Sequence, residues 1–409
     1  MSSLIEKHVD ELGRFVAKHR DRKVRYLIRK INEVTLCEIH RSMPGKKSAG
    51  LDRISKQEYG MNLRKNVRFL LQRIRSDSYY PKPLKRVYIP KHGNRLRPLG
   101  IMCYEDKVVA SNITKLLSAI YEQKFMPFSY GFRQNRNCHD AILKLRAIIM
   151  GRSVNYIVEA DIKSFFDTIN HGWLIGFLER DIADKKFIRL ITRFLNVGTV
   201  ENGRRTDAHL GTPQGNTISS TLANIYLHYV LDLWFKQTVQ KRCRGKALIV
   251  RYADDFVCAF ASESDAKSFM KTLTCRLQKF GLSVAREKTK MISLRKRTSF
   301  SFLGFTFLCD RRSVALLTDA NMLSEKIENF KMVLRNNRNL QLRQLITRVN
   351  SVLIGHYNYY GISTNMKALV KFRRVVGTLL SATLKARGIH NLKRYQSLLA
   401  VPKARIWVW

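Results

Sequence analysis

The chain has 409 residues, and its 75 Lys and Arg against 31 Asp and Glu leave a formal net charge of +44. Such a surface seeks polyanions, while 45% hydrophobic and 10% aromatic residues spread along the length supply a large core and exclude a disordered basic tail. No run of about 18 apolar residues is present, and Met1 to Lys30 mixes charges of both signs where a leader would be apolar, so a cytoplasmic protein with no membrane partner is expected.

Residues 1–80 read as basic helices broken by turns at Met43-Pro44-Gly45 and at Ser48-Ala49-Gly50-Leu51-Asp52. Pro81-Lys82-Pro83, Ile89-Pro90-Lys91-His92-Gly93-Asn94 and Arg97-Pro98-Leu99-Gly100 then punctuate a short β-rich stretch, a hairpin whose turn is itself basic and suited to phosphate. From Val154 a β run, Tyr156 to Ala160, ends in Asp161, and a helix begins near His171. Ile218, Leu222, Ile225, Tyr229 and Leu233 recur at steps of three and four, which predicts a long amphipathic helix. Ala247 to Tyr252 and Phe256 to Phe260 read as strands joined by Ala253-Asp254-Asp255, and Ala266, Phe269, Leu273, Leu277 and Phe280 mark another helix. The order β, α, α, ββ, α, β is that of a ferredoxin-like split βαβ sheet with an insertion. The seven cysteines (Cys37, Cys103, Cys138, Cys243, Cys258, Cys275 and Cys309) are scattered and never spaced as CxxC, which argues against a disulfide framework and a zinc knuckle.

With acids so scarce, an Asp-Asp pair at the tip of an apolar hairpin needs a reason. In a split βαβ sheet the end of the first strand lies beside the central hairpin, which brings Asp161 toward Asp254 and Asp255 across 93 residues of sequence. Clustered carboxylates repel one another unless a cation sits between them. Hard oxygen ligands suit Mg²⁺, and two such ions about 4 Å apart stabilise the attacking and leaving oxygens of phosphoryl transfer. Taken alone, an Asp-Asp dipeptide reads as a solvated β-turn. Its surroundings decide otherwise.

Arg251-Tyr252-Ala253-Asp254-Asp255-Phe256 resembles the YxDD box of reverse transcriptases, and its YADD form resembles the group II intron-encoded and related bacterial enzymes. Asp161-Ile162-Lys163-Ser164-Phe165-Phe166-Asp167 resembles the family's first metal motif, and Gly211-Thr212-Pro213-Gln214-Gly215-Asn216 its nucleotide-site loop. Phe128-Ser129-Tyr130-Gly131-Phe132-Arg133, the stretch from Gly281-Leu282 to Glu287-Lys288-Thr289, and Phe302-Leu303-Gly304-Phe305 resemble further motifs, all in family order. Leu222 to His228 and Gly355-His356-Tyr357-Asn358-Tyr359-Tyr360-Gly361 are similar to segments of intron proteins. The resemblance covers about residues 45 to 405. It departs from the common pattern at Gln214-Gly215-Asn216, where many relatives read PQGG, and at Gly100-Ile101-Met102, which replaces GIP.

The resemblance implies an α+β right-hand polymerase with a ferredoxin-like palm, mixed fingers and an α-helical thumb. The expected divisions are 1–80 for a basic helical extension and the start of the fingers, 81–155 for the fingers, 156–310 for the palm and 311–409 for a basic thumb. Carried over residue by residue, it makes Asp161 and Asp254 metal ligands with Asp255 beside them. Two Mg²⁺ are implied, with Mn²⁺ able to substitute. Lys91, Arg97, Gln214 and Gly215 would meet the incoming dNTP, and Lys288 would protonate the pyrophosphate leaving group. Phe166 would exclude a ribose 2′-OH, with Phe165 facing the core because neighbours on a strand point to opposite sides. Phe302, Leu303 and Gly304 would form the primer grip.

From Asn329 to Trp409 there are fifteen Lys and Arg and no Asp or Glu, which excludes a metal-dependent nuclease in that stretch and suits helices laid on a duplex. Leu345, Val349, Val352 and Leu353 form a helical stripe there, and Tyr357, Tyr359 and Tyr360 read as helix-packing core rather than base-stacking groups. The expected activity is RNA-directed DNA polymerisation on an RNA template with a DNA or RNA/DNA primer duplex, with a structured intron or noncoding RNA as a further partner. Two rivals are a maturase whose main work is RNA binding and a domesticated defence or CRISPR-linked reverse transcriptase. The intact set Asp161, Asp254, Asp255 and Gln214, for which a pure RNA-folding factor has no need, favours a working polymerase.

Overall fold

Short polar signatures start the first helices. Ser3 and Glu6 exchange bonds in a capping box that opens α1 (Leu4–Lys18), and Asn32 with Thr35 and Ser55 with Glu58 do the same for α2 (Glu33–Ser42) and α3 (Lys56–Met61). α4 (Leu63–Arg75) turns Val67, Leu70, Leu71 and Ile74 inward and leaves Arg64, Lys65, Arg68 and Arg75 in solvent. The computed structural model describes residues 3–91, 95–213, 215–310 and 313–404.

β1 (Leu84–Lys91) and β2 (Arg95–Ile101) form the basic hairpin, in register from Lys85↔Ile101 to Lys91↔Arg95. There follow α5 (Tyr104–Tyr121), α6 (Cys138–Met150), β3 (Tyr156–Ala160), α7 (Phe165–Thr168), α8 (His171–Asp181), α9 (Lys185–Leu195), β4 (Thr199–Glu201), β5 (Arg204–Thr206) and α10 (Thr217–Leu227). α10 runs on through π-helical turns at His228–Asp232 and Phe235–Val239 into α11 (Gln240–Arg242). The amphipathic helix expected here is instead buried on every side from Ile218 to Asp232 except at Ser220, because α5 and α8 pack on it. Its polar residues Asn224 and Asp232 thus lie inside the protein, where each needs a partner.

The chain continues with β6 (Ala247–Tyr252), β7 (Asp255–Phe260), α12 (Glu263–Lys279) and β8 (Lys290–Ser293). β6, β7, β3 and β8 form one sheet in that spatial order, and in chain order the four read 2-3-1-4, the split βαβ arrangement that the element sequence predicts. A second sheet runs β2-β1-β4-β5. The last part holds β9 (Thr298–Phe302), β10 (Phe305–Cys309) and β11 (Val314–Thr318), an antiparallel meander, and then α13 (Ala320–Asn336), α14 (Leu342–Tyr360), α15 (Met366–Lys385) and α16 (Leu392–Ser397).

Contacts divide the chain into two compact units, Met1–Ala141, Val158–Cys258 and Glu263–Lys290 in the first and Ile142–Ile157, Ala259–Ser262 and Met291–Trp409 in the second. The first is centred on α5, whose Val108, Val109, Ile113, Leu116, Leu117 and Ile120 are wholly buried. In the second, Phe300 stacks on Phe307 with ring centroids 4.9 Å apart, and Leu345, Val349 and Leu353 of α14 are buried, with Val352 at the margin of the stripe. Among the described residues no helix is long and apolar enough to cross a membrane.

Candidate active site

Asp161 follows the last residue of β3, and Asp254 and Asp255 sit where β6 turns into β7, the strand beside β3 in the sheet. Asp255 is the first residue of β7 rather than part of the connection. The three carboxylates feel one another. Burial lifts the Asp254 carboxyl above its ordinary range and the charge of Asp161 adds to this, while Arg97 and Lys288 oppose it. Burial together with the charges of Asp254 and Asp161 pushes Asp255 up to about 7. The Lys288 ammonium donates to Asp161 Oδ2, and that bond raises the lysine pKa, so Lys288 carries its proton at neutral pH. Lys290 pairs with Glu159 at 3.2 Å one step back along β3.

Arg97 on β2 is close enough to act electrostatically on Asp254. The fold therefore brings together Asp161, Asp254, Asp255, Lys288 and Arg97. Gln214 and the Lys91 side chain, both expected at the nucleotide, lie outside the described residues. Among the described residues no three His, Cys, Asp or Glu side chains form a group able to hold a metal ion unaided. Asp161 is turned to the Lys288 ammonium instead. The donor set still fits a hard cation, because Mg²⁺ commonly takes one or two carboxylates and completes its shell with water and substrate phosphate.

The turn bearing Asp254 is built on a buried scaffold. Ala253 has φ 55°, a conformation that a non-glycine residue adopts only when its surroundings hold it there. Arg251, wholly buried, holds Asp232 of the first π-helical turn with two nitrogens and sends a third to Asn224 Oδ1 and to the Ala253 carbonyl, each at 2.9 Å. Asn224 passes the contact to the Gly131 carbonyl at 2.6 Å. Phe128 to Tyr130 run along Arg251, with backbone bonds of 2.9 and 2.8 Å, and a Cβ on Gly131 would meet Ala253 N at 2.3 Å. The Ser-Tyr-Gly-Phe-Arg motif thus backs the Asp254 turn, a role its sequence did not disclose.

Phe165 is buried, 2% exposed, and Phe166 is partly open. Phe165 faces the core as expected, but strand alternation is not the reason: both belong to α7, a four-residue helix entered through Ser164 at φ 45°, and their rings meet edge to face with centroids 5.6 Å apart. The nucleotide-site loop leans on this helix. Thr212 N–H donates to the Phe166 carbonyl at 2.7 Å and Gly211 N–H to the Ile169 carbonyl at 2.8 Å, while His171 Nε2 lies 2.7 Å from the Gly211 carbonyl. Gly211 has φ 79°, and a Cβ there would approach the Phe166 carbonyl to 2.8 Å, so only glycine fits. Gly215, at φ 97°, faces Leu99 and Gly100 of β2. Phe302 is buried at the end of β9, and Leu303 and Gly304 form the turn into β10, all within the second unit.

Residues 89–307, more than half of the chain, match the reverse transcriptase (RNA-dependent DNA polymerase) family, and the chain belongs to that family. It is 28% identical over 396 residues to the group II intron-encoded protein LtrA of Lactococcus lactis subsp. cremoris, an alignment covering 75% of this chain and 65% of that protein. It therefore spans just under two thirds of that relative's length. Protein YkfC of Escherichia coli K12 is 31% identical over 286 residues, 62% of this chain and 75% of YkfC. Among solved structures, telomerase from Candida albicans in complex with a TWJ fragment of telomeric RNA aligns with a TM-score of 0.47 and 12% identity, over 78% of this chain and 61% of that one. Enzymes of this family work with divalent metal ions.

Proposed function

We infer that the chain is an RNA-directed DNA polymerase that extends a primer 3′-OH with dNTPs on an RNA template. The observation that carries this reading is the meeting of Asp161 with Asp254 and Asp255, under the charges of Lys288 and Arg97, at the ends of the two inner strands of a split βαβ sheet. Two Mg²⁺ ions, when bound by Asp161 and Asp254, would supply the positive charge that phosphoryl transfer needs on its attacking and leaving oxygens. The chain's own groups supply the rest. Asp255 lies beside the two ligand carboxylates as a supporting acid, Arg97 suits the triphosphate with a charge-assisted fork, and Lys288 holds a proton at Nζ for the departing pyrophosphate. Lys91, Gln214 and Gly215 complete the nucleotide site in this reading, and Phe302, Leu303 and Gly304 grip the primer. The +44 charge and the cationic faces of α4 and of the C-terminal helices suit a template-primer duplex and a structured RNA, in keeping with the intron origin of the relative LtrA.

Extension of a DNA primer on an RNA template in Mg²⁺ tests the reading, and its absence in the folded wild-type chain would reject it. Sugar selection tests the site in more detail. Phe166→Ala is expected to raise rNTP over dNTP incorporation by at least about tenfold, roughly 1.4 kcal/mol of differential transition-state binding. Phe165→Ala leaves a cavity in the core and should instead cost about 3–5 kcal/mol of stability. Steady-state incorporation of dCTP and rCTP, with urea unfolding of both variants, distinguishes the two rings. Unchanged selection by an active Phe166→Ala enzyme would remove this residue from the sugar site.

A further inference from the structure

The motif from Gly355 to Gly361 plays no part in the chemistry above, and packing alone does not explain its hydroxyl groups. β9 and β10 are joined by a two-residue turn whose members both have positive φ, Leu303 at 49° and Gly304 at 74°. Such a hairpin turn suits Asn-Gly, whereas a bulky side chain at its first position is strained and persists only if its neighbours hold it. They do so at both carbonyls. The Tyr359 hydroxyl, from α14, donates to the Leu303 carbonyl at 2.9 Å, and the Asp319 N–H donates to the Gly304 carbonyl at 3.1 Å. Gly304 supplies the room, since a Cβ there would come within 2.9 Å of the Tyr360 hydroxyl.

The Tyr359 ring is itself oriented. It lies 5.8 Å from Phe305 at an interplanar angle of 25°, so removing the hydroxyl leaves the ring its stacking partner. Asp319 ties the same hairpin to α13. Its carboxylate accepts from Ser301 on β9 at 2.6 Å and Thr306 on β10 at 3.3 Å, and caps the helix through the Asn321 and Met322 N–H groups.

We propose that Tyr359 is a positioning residue for the primer terminus, its hydroxyl fixing the strained Leu303-Gly304 turn in the shape that meets the primer backbone. This rests on the reading of Phe302, Leu303 and Gly304 as the primer grip. Tyr357→Phe is the control, because it removes another hydroxyl from α14, one that bonds the Ala400 carbonyl at 3.2 Å away from the turn.

The full chain and its Tyr359→Phe and Tyr357→Phe variants are compared in primer extension on an RNA template, with template-primer and dNTP varied separately and melting recorded. Tyr359→Phe should raise KM for the template-primer by about fivefold and shorten the product made per binding event, with KM for dNTP held within about twofold. Tyr357→Phe should leave all three unchanged while the two variants melt alike. Equal kinetics for Tyr359→Phe and wild type, or the same loss in both variants, would overturn the proposal and leave the polymerase reading standing. A folded wild-type chain that does not extend the primer would overturn both.

Discussion

Asp254→Asn should lower primer extension by at least about 10³-fold, which corresponds to about 4 kcal/mol of lost transition-state stabilisation, in a chain that stays folded. The substitution keeps the shape of the side chain and removes only its charge. That charge is costly in the resting protein, since burial and the neighbouring Asp161 both lift the Asp254 carboxyl above its ordinary range. A carboxyl whose pKa is raised by folding destabilises the fold at every pH above that raised value, and the cost disappears as pH falls and both states take up the proton. The variant should therefore melt no lower than wild type at pH 8. Asp255→Asn shows the window more clearly, because burial and the neighbouring charges push Asp255 itself up to about 7. Its melting advantage should be full above about 7 and fade toward the ordinary carboxylate value of 3.8. Extension by Asp254→Asn within about tenfold of wild type would move the chemistry away from this site.

This opposition between resting stability and activity is why the acidic cluster was legible in the sequence. Carboxylates are scarce in this chain, and placing two at an apolar hairpin tip works against folding unless a ligand is to be bound there. The split βαβ order then brings Asp161 beside them with no further information. The same logic failed for the elements whose burial is decided by distant partners. The helix from Ile218 shows an amphipathic rhythm, yet α5 and α8 cover its polar side as well, and nothing in its own residues announces that. Phe165 and Phe166 follow a strand and read as its continuation until Ser164 turns into the left-handed region and starts a helix. Tyr359 read as core because aromatic spacing on a helix usually means packing, and its hydroxyl bond reaches back 56 residues to a backbone carbonyl that has no sequence signature.

Arg251 is the strongest case of a residue hidden by composition, one cation among 75, and it carries the second large prediction. Arg251 and Asp232 are both wholly buried and paired through two nitrogens, with Asn224 and the Ala253 carbonyl as further partners. Arg251→Met strands the Asp232 charge in the core and should cost about 3–5 kcal/mol, read from urea unfolding. Pairing it with Asp232→Leu removes the stranded charge, and because a buried ion pair is worth little against apolar groups of similar volume, most of that stability should return. Activity should not return with it. The double variant still lacks the donor to Ala253, whose φ of 55° needs support, so the Asp254 turn relaxes and Asp254 loses its setting beside Asp161. Extension is expected to remain at least about 100-fold down in a chain that has recovered most of its stability, since displacements on the order of 1 Å are enough to cost that much. A stable double variant with wild-type extension would show that the turn holds its shape without Arg251 and that the buried pair serves the fold alone.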